Sequence, residues 1–166
     1  MVLATLLGCG AVGYPGGRQD TDETLATFVL LEDETTAGAE DESAADALTV
    51  TEDGQYNSKE EVALYIHLFG HLPSNYITKG EAQALGWGGG SLEPYAPGCA
   101  IGGNSFGNFE GLLPTAPGRT YTECDIDTIG KSSRGAKRIV FSNDGLVYYT
   151  EDHYESFELL YGEVSE

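Results

Sequence analysis

Apolar residues along this chain change their spacing twice, and each change marks a different kind of element. Ser58-Lys-Glu-Glu61 has the pattern of a capping box and is followed by apolar residues at helical spacing as far as Gly70. A second capping box, Thr78-Lys-Gly-Glu81, precedes a shorter apolar stretch that stops at Gly86. The pattern therefore predicts a three-turn helix followed by a shorter one.

After Pro97-Gly98 the apolar residues alternate with polar ones, which is typical of strands. Asp144-Gly145 lies between two such runs and indicates a hairpin. The predicted strands cover residues 100–104, 119–127, 137–142, 146–150 and 156–161. Helices followed by consecutive strands favour an α+β fold, in which N-terminal helices pack on one face of a five-stranded antiparallel sheet.

The predicted strand over 119–127 has a core side and a polar side. Period two places Ile126 on the core side and Glu123 on the other, and Arg138 of the next strand is expected beside Glu123. His153 follows later in the chain. A carboxylate, a guanidinium and an imidazole are the groups that acid–base chemistry on a phosphodiester requires.

Two cysteines share the core side of these strands. Cys99 has the parity of Ile101, and Cys124 has that of Ile126. In an exported protein this arrangement suggests a Cys99–Cys124 disulfide. Two unpaired buried thiols are the alternative, because spacing alone does not fix the distance between the two Cα atoms.

The net charge of -19 is unevenly distributed. Residues 1–50 contain ten acidic residues and one basic residue, whereas five of the seven basic residues in 51–166 lie within 119–138. An acidic protein normally disfavours nucleic acid as a partner, because phosphate contacts supply most of the affinity. The concentrated positive charge is compatible with a small cationic cleft on an anionic body.

The first third of the chain lacks the apolar pattern of a folded domain. Residues 1–9 are too short to span a bilayer, and Leu6-Leu7-Gly8 before Cys9 resembles the end of a lipoprotein signal with lipidation at Cys9; a plain secretory remnant is the alternative. Residues 10–52 predict a flexible acidic tether, and residues 53–162 the folded domain. Both alternatives predict an extracellular protein, secreted or anchored to the outer face of the membrane.

Several long motifs occur in a recognisable order. They are LPSNYITKGEAQALGW at 72–87, FGNFEG at 106–111, ECDI at 123–126 and DHY at 152–154. With them the chain resembles the barnase family of secreted, guanyl-preferring bacterial ribonucleases. The resemblance covers roughly residues 56–161 and implies the microbial ribonuclease fold, whereas residues 1–52 take no part in it.

The resemblance implies an endoribonuclease that cleaves single-stranded RNA after guanine without metal or cofactor. Glu123 would take the proton from the ribose 2′-OH, and His153 would protonate the departing 5′-oxygen. The product would be a 2′,3′-cyclic phosphate that is hydrolysed later with the two roles exchanged. Lys79, Arg134 and Arg138 would surround the scissile phosphate.

The resemblance also implies a guanine-binding loop. Its members in this sequence are Phe106, Gly107, Asn108, Phe109 and Glu110, with Tyr154 stacking near the base. Glu110 would accept hydrogen bonds from the base edge. Phe109 stands where the family has an arginine, and Asn104 replaces an aspartate outside the loop. Gly107 replaces a serine, so the loop is expected to be looser and the base preference less strict than in the family.

The family implies a monomer and a barstar-like acidic protein inhibitor as a partner besides RNA. The alternative function, of a different class, is a catalytically idle ribonuclease-like binding module on the cell envelope. The presence of both Glu123 and His153 counts against that alternative. A metal-dependent nuclease is disfavoured because no His, Asp or Glu cluster has the spacing of metal ligands.

Overall fold

The structure is a computed structural model, and it describes residues 26–27 and 48–164. Two helices are present, α1 at Lys59–Phe69 and α2 at Lys79–Ala84. The strands are β1 at Ala26–Thr27, β2 at Thr49–Val50, β3 at Tyr76–Ile77, β4 at Ala100–Phe106, β5 at Tyr121–Asp125, β6 at Arg138–Ser142, β7 at Val147–Thr150 and β8 at Glu158–Tyr161. The predicted α+β class agrees with this architecture.

The main sheet has six strands in the order β3-β4-β5-β6-β7-β8. Strands β4 to β8 pair antiparallel and correspond to the five predicted strands. The sixth strand, β3, pairs parallel with β4 and was not predicted. It is only two residues long, and the buried Asn75 beside it hydrogen-bonds the backbone of Tyr56. No local periodicity encodes such a strand, because distant contacts hold it in place.

Helix α1 begins and ends at the predicted residues. The Ser58 hydroxyl accepts a hydrogen bond from the Glu61 backbone N–H, and Gly70 ends the helix in the left-handed conformation. The inner side of α1 packs on one face of the sheet, where Val62 and Ile66 join a buried cluster. The sheet residues of this cluster are Cys124, Ile126, Ile139, Val147 and Tyr149.

Helix α2 is a single short segment held by its cap and by a separate apolar cluster. Thr78 and Glu81 form the predicted capping box. Behind the helix, Ala82 packs in a cluster with Trp87 and Cys99. This packing fixes the first residue of α2, Lys79, over the edge of the sheet.

The predicted Cys99–Cys124 disulfide is wrong, because Cys124 is a free and buried thiol. Cys124 pairs across the strands with Gly102, and Cys99 precedes Gly102 by three residues. At about 3.3 Å per residue, the two Cα atoms lie about 10 Å apart along the strand, beyond the reach of a disulfide. The shared parity placed both cysteines in the interior, but in different clusters.

Order begins earlier than the predicted domain boundary. Thr49 and Val50, assigned above to the flexible tether, form β2, which pairs with β1. Val50 is fully buried in a cluster with Leu64 and Tyr65 of α1. The tether prediction is therefore wrong for the two paired segments, Ala26–Thr27 and Thr49–Val50. Burial of Val50 and the hydrogen bond that the Tyr65 hydroxyl donates to the Glu52 carbonyl hold the second segment against α1.

The remaining predictions for the N-terminal region fall outside the described residues. These are the signal or lipobox segment 1–9, lipidation at Cys9 and most of the tether over 10–47. Within 26–27 and 48–164, no helix combines the length and apolar character that crossing a membrane requires.

Candidate active site

Glu123 lies in the middle of β5, between Asn104 of β4 and Val140 of β6. It faces away from α1, and only 7% of the residue is exposed. Lys79 Nζ donates a hydrogen bond to Oε1 at 2.5 Å, and the Tyr154 hydroxyl donates one to Oε2. Both oxygens of this carboxylate are therefore engaged by donors that lie between it and solvent.

Opposing effects act on the pKa of Glu123. Burial is the largest single influence and raises this pKa. The hydrogen bonds from Lys79 and Tyr154, together with the charges of Lys79 and Arg138, outweigh burial, so the pKa lies below its ordinary value. Burial and the contact with Glu123 raise the pKa of Tyr154. At neutral pH Glu123 is thus an ionised carboxylate that accepts a hydrogen bond from the neutral phenol of Tyr154.

Arg134 and Arg138 share one buried carboxylate. Nε and Nη2 of Arg134 donate to the two oxygens of Asp125 at 2.6 and 2.7 Å. Nε of Arg138 lies 2.9 Å from Asp125 Oδ1, although the angle is not that of a hydrogen bond. Because Asp125 and Arg138 are 1% and 2% exposed, this ion pair forms the floor of the site.

Arg138 also fixes the loop that precedes its own strand. Its Nη1 donates to the carbonyls of Arg134 and Lys137, and its Nη2 donates to that of Gly135. The sequence predicted Arg138 only as a cation near a phosphate. The structure adds that it holds the 134–137 loop while its charge acts on Glu123.

His153 is exposed and lies in the turn after β7. His153 and Tyr154 both have left-handed backbone conformations, with φ of 61° and 76°. Asp152 stabilises this turn by accepting hydrogen bonds from Thr150 and from the backbone and side chain of Ser156. Non-glycine residues in this conformation are held there by their surroundings, and such strain is common at functional sites.

Tyr154 joins the imidazole to the carboxylate. Its ring centroid lies 4.8 Å from that of His153, and its hydroxyl contacts Glu123. Phe106 also packs against Tyr154, with ring centroids 5.2 Å apart. The structure therefore brings Glu123, His153 and the start of the 106–111 loop to the same region of the sheet.

The 106–111 loop is shaped by Asn108. Asn108 has a φ of 44° and exchanges two hydrogen bonds with the backbone of Leu113. Glu110 is exposed and has no hydrogen-bond partner within the described part of the chain. Phe109 is 93% exposed and its ring lies over Gly107, where an added Cβ would be 2.2 Å from Cε2. The position of the Phe109 ring therefore depends on the absence of a Cβ at residue 107.

A family model described as ribonuclease matches residues 59–161, which contain every group described above. The chain belongs to the ribonuclease family. It is similar to a ribonuclease of Heyndrickxia coagulans, with 48% identity over 103 residues, 61% of this chain and 94% of the relative. It is equally identical over 103 residues to a ribonuclease of Bacillus intermedius, covering 63% of that protein.

A shorter match relates this ribonuclease to guanyl-specific ribonuclease St of Saccharopolyspora erythraea. The two are 46% identical over 57 residues, 34% of this chain and 56% of the relative. The family match and these relatives make the protein an RNA-cleaving enzyme.

Sequence reasoning about this ribonuclease missed the roles of two residues of the site. The Lys79 backbone N–H donates to Asn104 Oδ1 at 2.9 Å, so Asn104 fixes the start of α2 beside Glu123. Asn104 follows a bulge at Gly103, whose φ is 86°. Two glycines inside a strand indicate a bulge, and that signal was available in the sequence. The second residue, Asp125, gave no sign of its role because its partner Arg134 lies in a loop.

Proposed function

We propose that this ribonuclease cleaves single-stranded RNA after guanine by attack of the ribose 2′-OH on the adjacent phosphate. The observation that carries the proposal is that Tyr154 contacts both Glu123 and the His153 ring. A carboxylate and an imidazole therefore lie on the border of one site. Such a pair removes one proton and delivers another, each transfer contributing about 10²–10⁴-fold to the rate. The attacking 2′-OH restricts the substrate to RNA, since DNA lacks it.

In the first step Glu123 accepts the proton of the 2′-OH. The 2′-oxygen forms a bond to phosphorus, the bond from phosphorus to the 5′-oxygen breaks, and His153 gives its proton to that oxygen. The product is a 2′,3′-cyclic phosphate. In the second step water replaces the leaving nucleoside, and the two groups exchange roles.

Substrate must displace the donors that cover Glu123. The Lys79 side chain is 39% exposed, so its ammonium can turn from the carboxylate to a phosphate oxygen without leaving solvent. Arg138 is fixed from below by Asp125 and by the loop carbonyls. Fixed positive charge stabilises the negative charge that accumulates on phosphate in the transition state. Arg134 supplies a third cation at the rim, where it is partly exposed.

Guanine preference is assigned to the 106–111 loop. Glu110 has no protein partner in the described chain, so its carboxylate can accept hydrogen bonds from a base edge. A cavity of about 320 Å³ lies along the loop, between Phe106, Asn108 and Tyr121. The similarity to a relative named guanyl-specific supports the same preference here.

The test uses the four GpN dinucleotides and their ApN, CpN and UpN counterparts, in the presence of EDTA. We expect cleavage of GpN to a cyclic phosphate, with Glu123→Gln and His153→Gln each lowering kcat by at least about 10²-fold. Glu110→Gln should lower the preference for GpN over ApN. Cleavage that needs added metal, or that is unchanged in Glu123→Gln, contradicts the mechanism. Wild-type protein that binds GpN without cleaving it would support the idle binding module instead.

A further inference from the structure

Trp87, the only tryptophan of the chain, lies beside one cation of the candidate active site. The guanidinium carbon of Arg134 lies over its ring, 5.6 Å from the ring centroid. A guanidinium within about 6 Å of an indole centroid is attracted by the negative face of the ring. The mechanism proposed above gives Trp87 no part, so this contact calls for a separate explanation.

The Trp87 ring is fixed by its surroundings. The residue is 7% exposed and packs in the apolar cluster that contains Ala82. Its backbone N–H donates to the Ala82 carbonyl at 3.1 Å, and its indole N–H donates to the Gly90 carbonyl at 3.2 Å. Gly90 can turn back to the ring because it has a φ of 73°, a conformation that favours glycine. The indole therefore presents a fixed surface to Arg134.

Arg134 is held by Asp125 within its plane and by Trp87 out of that plane. Its Nε and Nη2 donate to the two oxygens of Asp125. Two parallel hydrogen bonds fix the guanidinium along the carboxylate, but they allow it to tilt about that line. A fixed ring over which the guanidinium carbon lies limits the tilt. Nη1 makes no hydrogen bond in the described part of the chain, so this edge is left for an anion.

Trp87 also connects Arg134 with the helix that carries Lys79. Lys79 is the first residue of α2, and Ala82 lies one turn later in the same helix. The Ala82 carbonyl accepts the Trp87 N–H, and the Ala82 side chain is fully buried in the same cluster as the indole. One residue thus contacts both the helix that bears one cation and the guanidinium of another.

The segment that follows Trp87 supports the other end of the loop that carries Arg134. The Ser91 hydroxyl donates to the Lys131 carbonyl at 2.7 Å, and Glu93 accepts a hydrogen bond from the loop backbone at 3.2 Å. The loop cannot carry Arg134 away from the indole without loss of these bonds. The glycine-rich stretch after Trp87 is therefore part of the support of the site.

We propose that Trp87 is a positioning residue of this ribonuclease, which holds the Arg134 guanidinium with its free edge toward the phosphate. Trp87 itself touches no substrate. The inference rests on the proposed function for the role of Arg134 as a cation at the phosphate. Charge that is fixed in advance stabilises the transition state without reorganisation. Loosening Arg134 should therefore lower kcat more than it raises KM.

The closing experiment is a double-mutant cycle on cleavage of GpN by the full chain. Trp87→Leu removes the ring and keeps an apolar side chain. We expect it to lower kcat by about tenfold, the scale of a partly buried contact between a cation and a ring. KM should change by less than about twofold. In the Arg134→Gln background the same substitution should have no further effect on kcat, because the group that it positions is absent.

Two further variants separate positioning from packing. Trp87→Phe restores an aromatic face and should recover most of kcat. Leu92→Ala is the matched packing control, because Leu92 is 6% exposed in the same cluster and offers no ring to the guanidinium. Urea unfolding should show that both Trp87→Leu and Leu92→Ala are destabilised. At a temperature where every variant is folded, only Trp87→Leu should lower kcat.

The position of the guanidinium is measured without any cleavage. In arginine-selective ¹H–¹⁵N spectra the Nε–H signal of Arg134 reports both the nearby indole ring and the hydrogen bond to Asp125. We expect Trp87→Leu to shift this signal and to speed its exchange with water. Leu92→Ala should leave both unchanged.

Four results would overturn the inference. They are an equal loss of kcat from Trp87→Leu with and without Arg134, an equal loss in Leu92→Ala, no recovery in Trp87→Phe, and a wild-type kcat in Arg134→Gln. The first two would show that Trp87 affects activity through packing alone. A failure of the proposed mechanism appears instead as unchanged cleavage in Glu123→Gln, so the two failures are distinguishable.

Discussion

The Tyr154 hydroxyl donates a hydrogen bond to Oε2 of Glu123, the oxygen that Lys79 does not contact. The phenol is neutral because burial and the neighbouring carboxylate raise its pKa. It therefore lowers the pKa of Glu123 without adding a charge. The residue expected to stack on the base is thus also bound to the proposed general base.

The first prediction concerns the acid limb of the pH–rate profile. In Tyr154→Phe the Glu123 carboxylate loses one stabilising hydrogen bond while its burial persists, so its pKa rises. The acid limb of kcat/KM should therefore move to higher pH. The measurement is kcat/KM for GpN as a function of pH. Tyr148→Phe is the matched control, because that ring packs in the same apolar cluster without contacting Glu123. An unmoved limb in Tyr154→Phe would contradict the prediction.

The second prediction concerns stability and the carboxylate shared by the two arginines. Asp125→Ala leaves Arg138 buried without its counter-charge, which costs about 3–5 kcal/mol of unfolding free energy. Lys137→Ala is the matched control, since it breaks the Lys137–Asp127 pair, which is exposed on both sides and is worth less than about 1 kcal/mol, without changing a residue of positive φ. Urea unfolding at neutral pH measures both. Equal losses in the two variants would exclude a special role for the buried pair.

Features of the fold that depend on residues close together in the sequence were predictable from it. The Ser58 N-cap and the Thr78 capping box place the two helices, and Asp144-Gly145 places the hairpin between β6 and β7. Strand β3 and the burial of Val50 depend on contacts with segments far along the chain. The same limit explains why the predicted Cys99–Cys124 disulfide was wrong. Alternation along a strand indicates the face on which a cysteine lies, but it does not indicate how far apart two cysteines on neighbouring strands are.

Predictability of the site follows the same division. Family motifs identify which residues gather, and the structure brings Lys79, Glu123 and Tyr154 together. The motifs do not reveal that Arg138 is buried and donates hydrogen bonds to the carbonyls of the 134–137 loop, because those bonds depend on the conformation of that loop. The link between Lys79 and Asn104 needs the bulge at Gly103, which re-aims one side chain.

The third prediction concerns acid stability and the turn that carries His153. Hydrogen bonds from Ser156 and Thr150 lower the pKa of Asp152 to about 2, against an ordinary value of 3.8. Because the folded-state pKa is depressed, its contribution to stability is present above the unfolded pKa and is lost as pH falls from 3.8 to about 2. The unfolding free energy of Asp152→Asn should fall less steeply across that window than that of wild type.

Urea unfolding at several pH values within this window provides the measurement. Glu155→Gln is the control, since its side chain makes no hydrogen bond in the turn. It should retain the wild-type slope. Parallel slopes for wild type and Asp152→Asn would show that the carboxylate is not stabilised by the turn.

The fourth prediction concerns the coupled departures in the 106–111 loop. A Cβ at residue 107 would lie 2.2 Å from the Phe109 ring, so Gly107→Ala forces the ring to move. Because Phe109 is 93% exposed, the ring can turn into solvent, and stability should change by less than about 0.5 kcal/mol. The altered loop should instead raise KM for GpN with little change in kcat.

A double-mutant cycle with Phe109→Ala isolates the contact between the two residues. Once the ring is absent, the methyl group at residue 107 meets no neighbour from Phe109, so Gly107→Ala should have little further effect on KM. The control is a second cycle that combines Gly107→Ala with Leu112→Ala, because Leu112 is exposed in the same region and does not cover Gly107. That cycle should be additive. If the effects of Gly107→Ala and Phe109→Ala on KM also simply add, the ring does not control the shape of the loop.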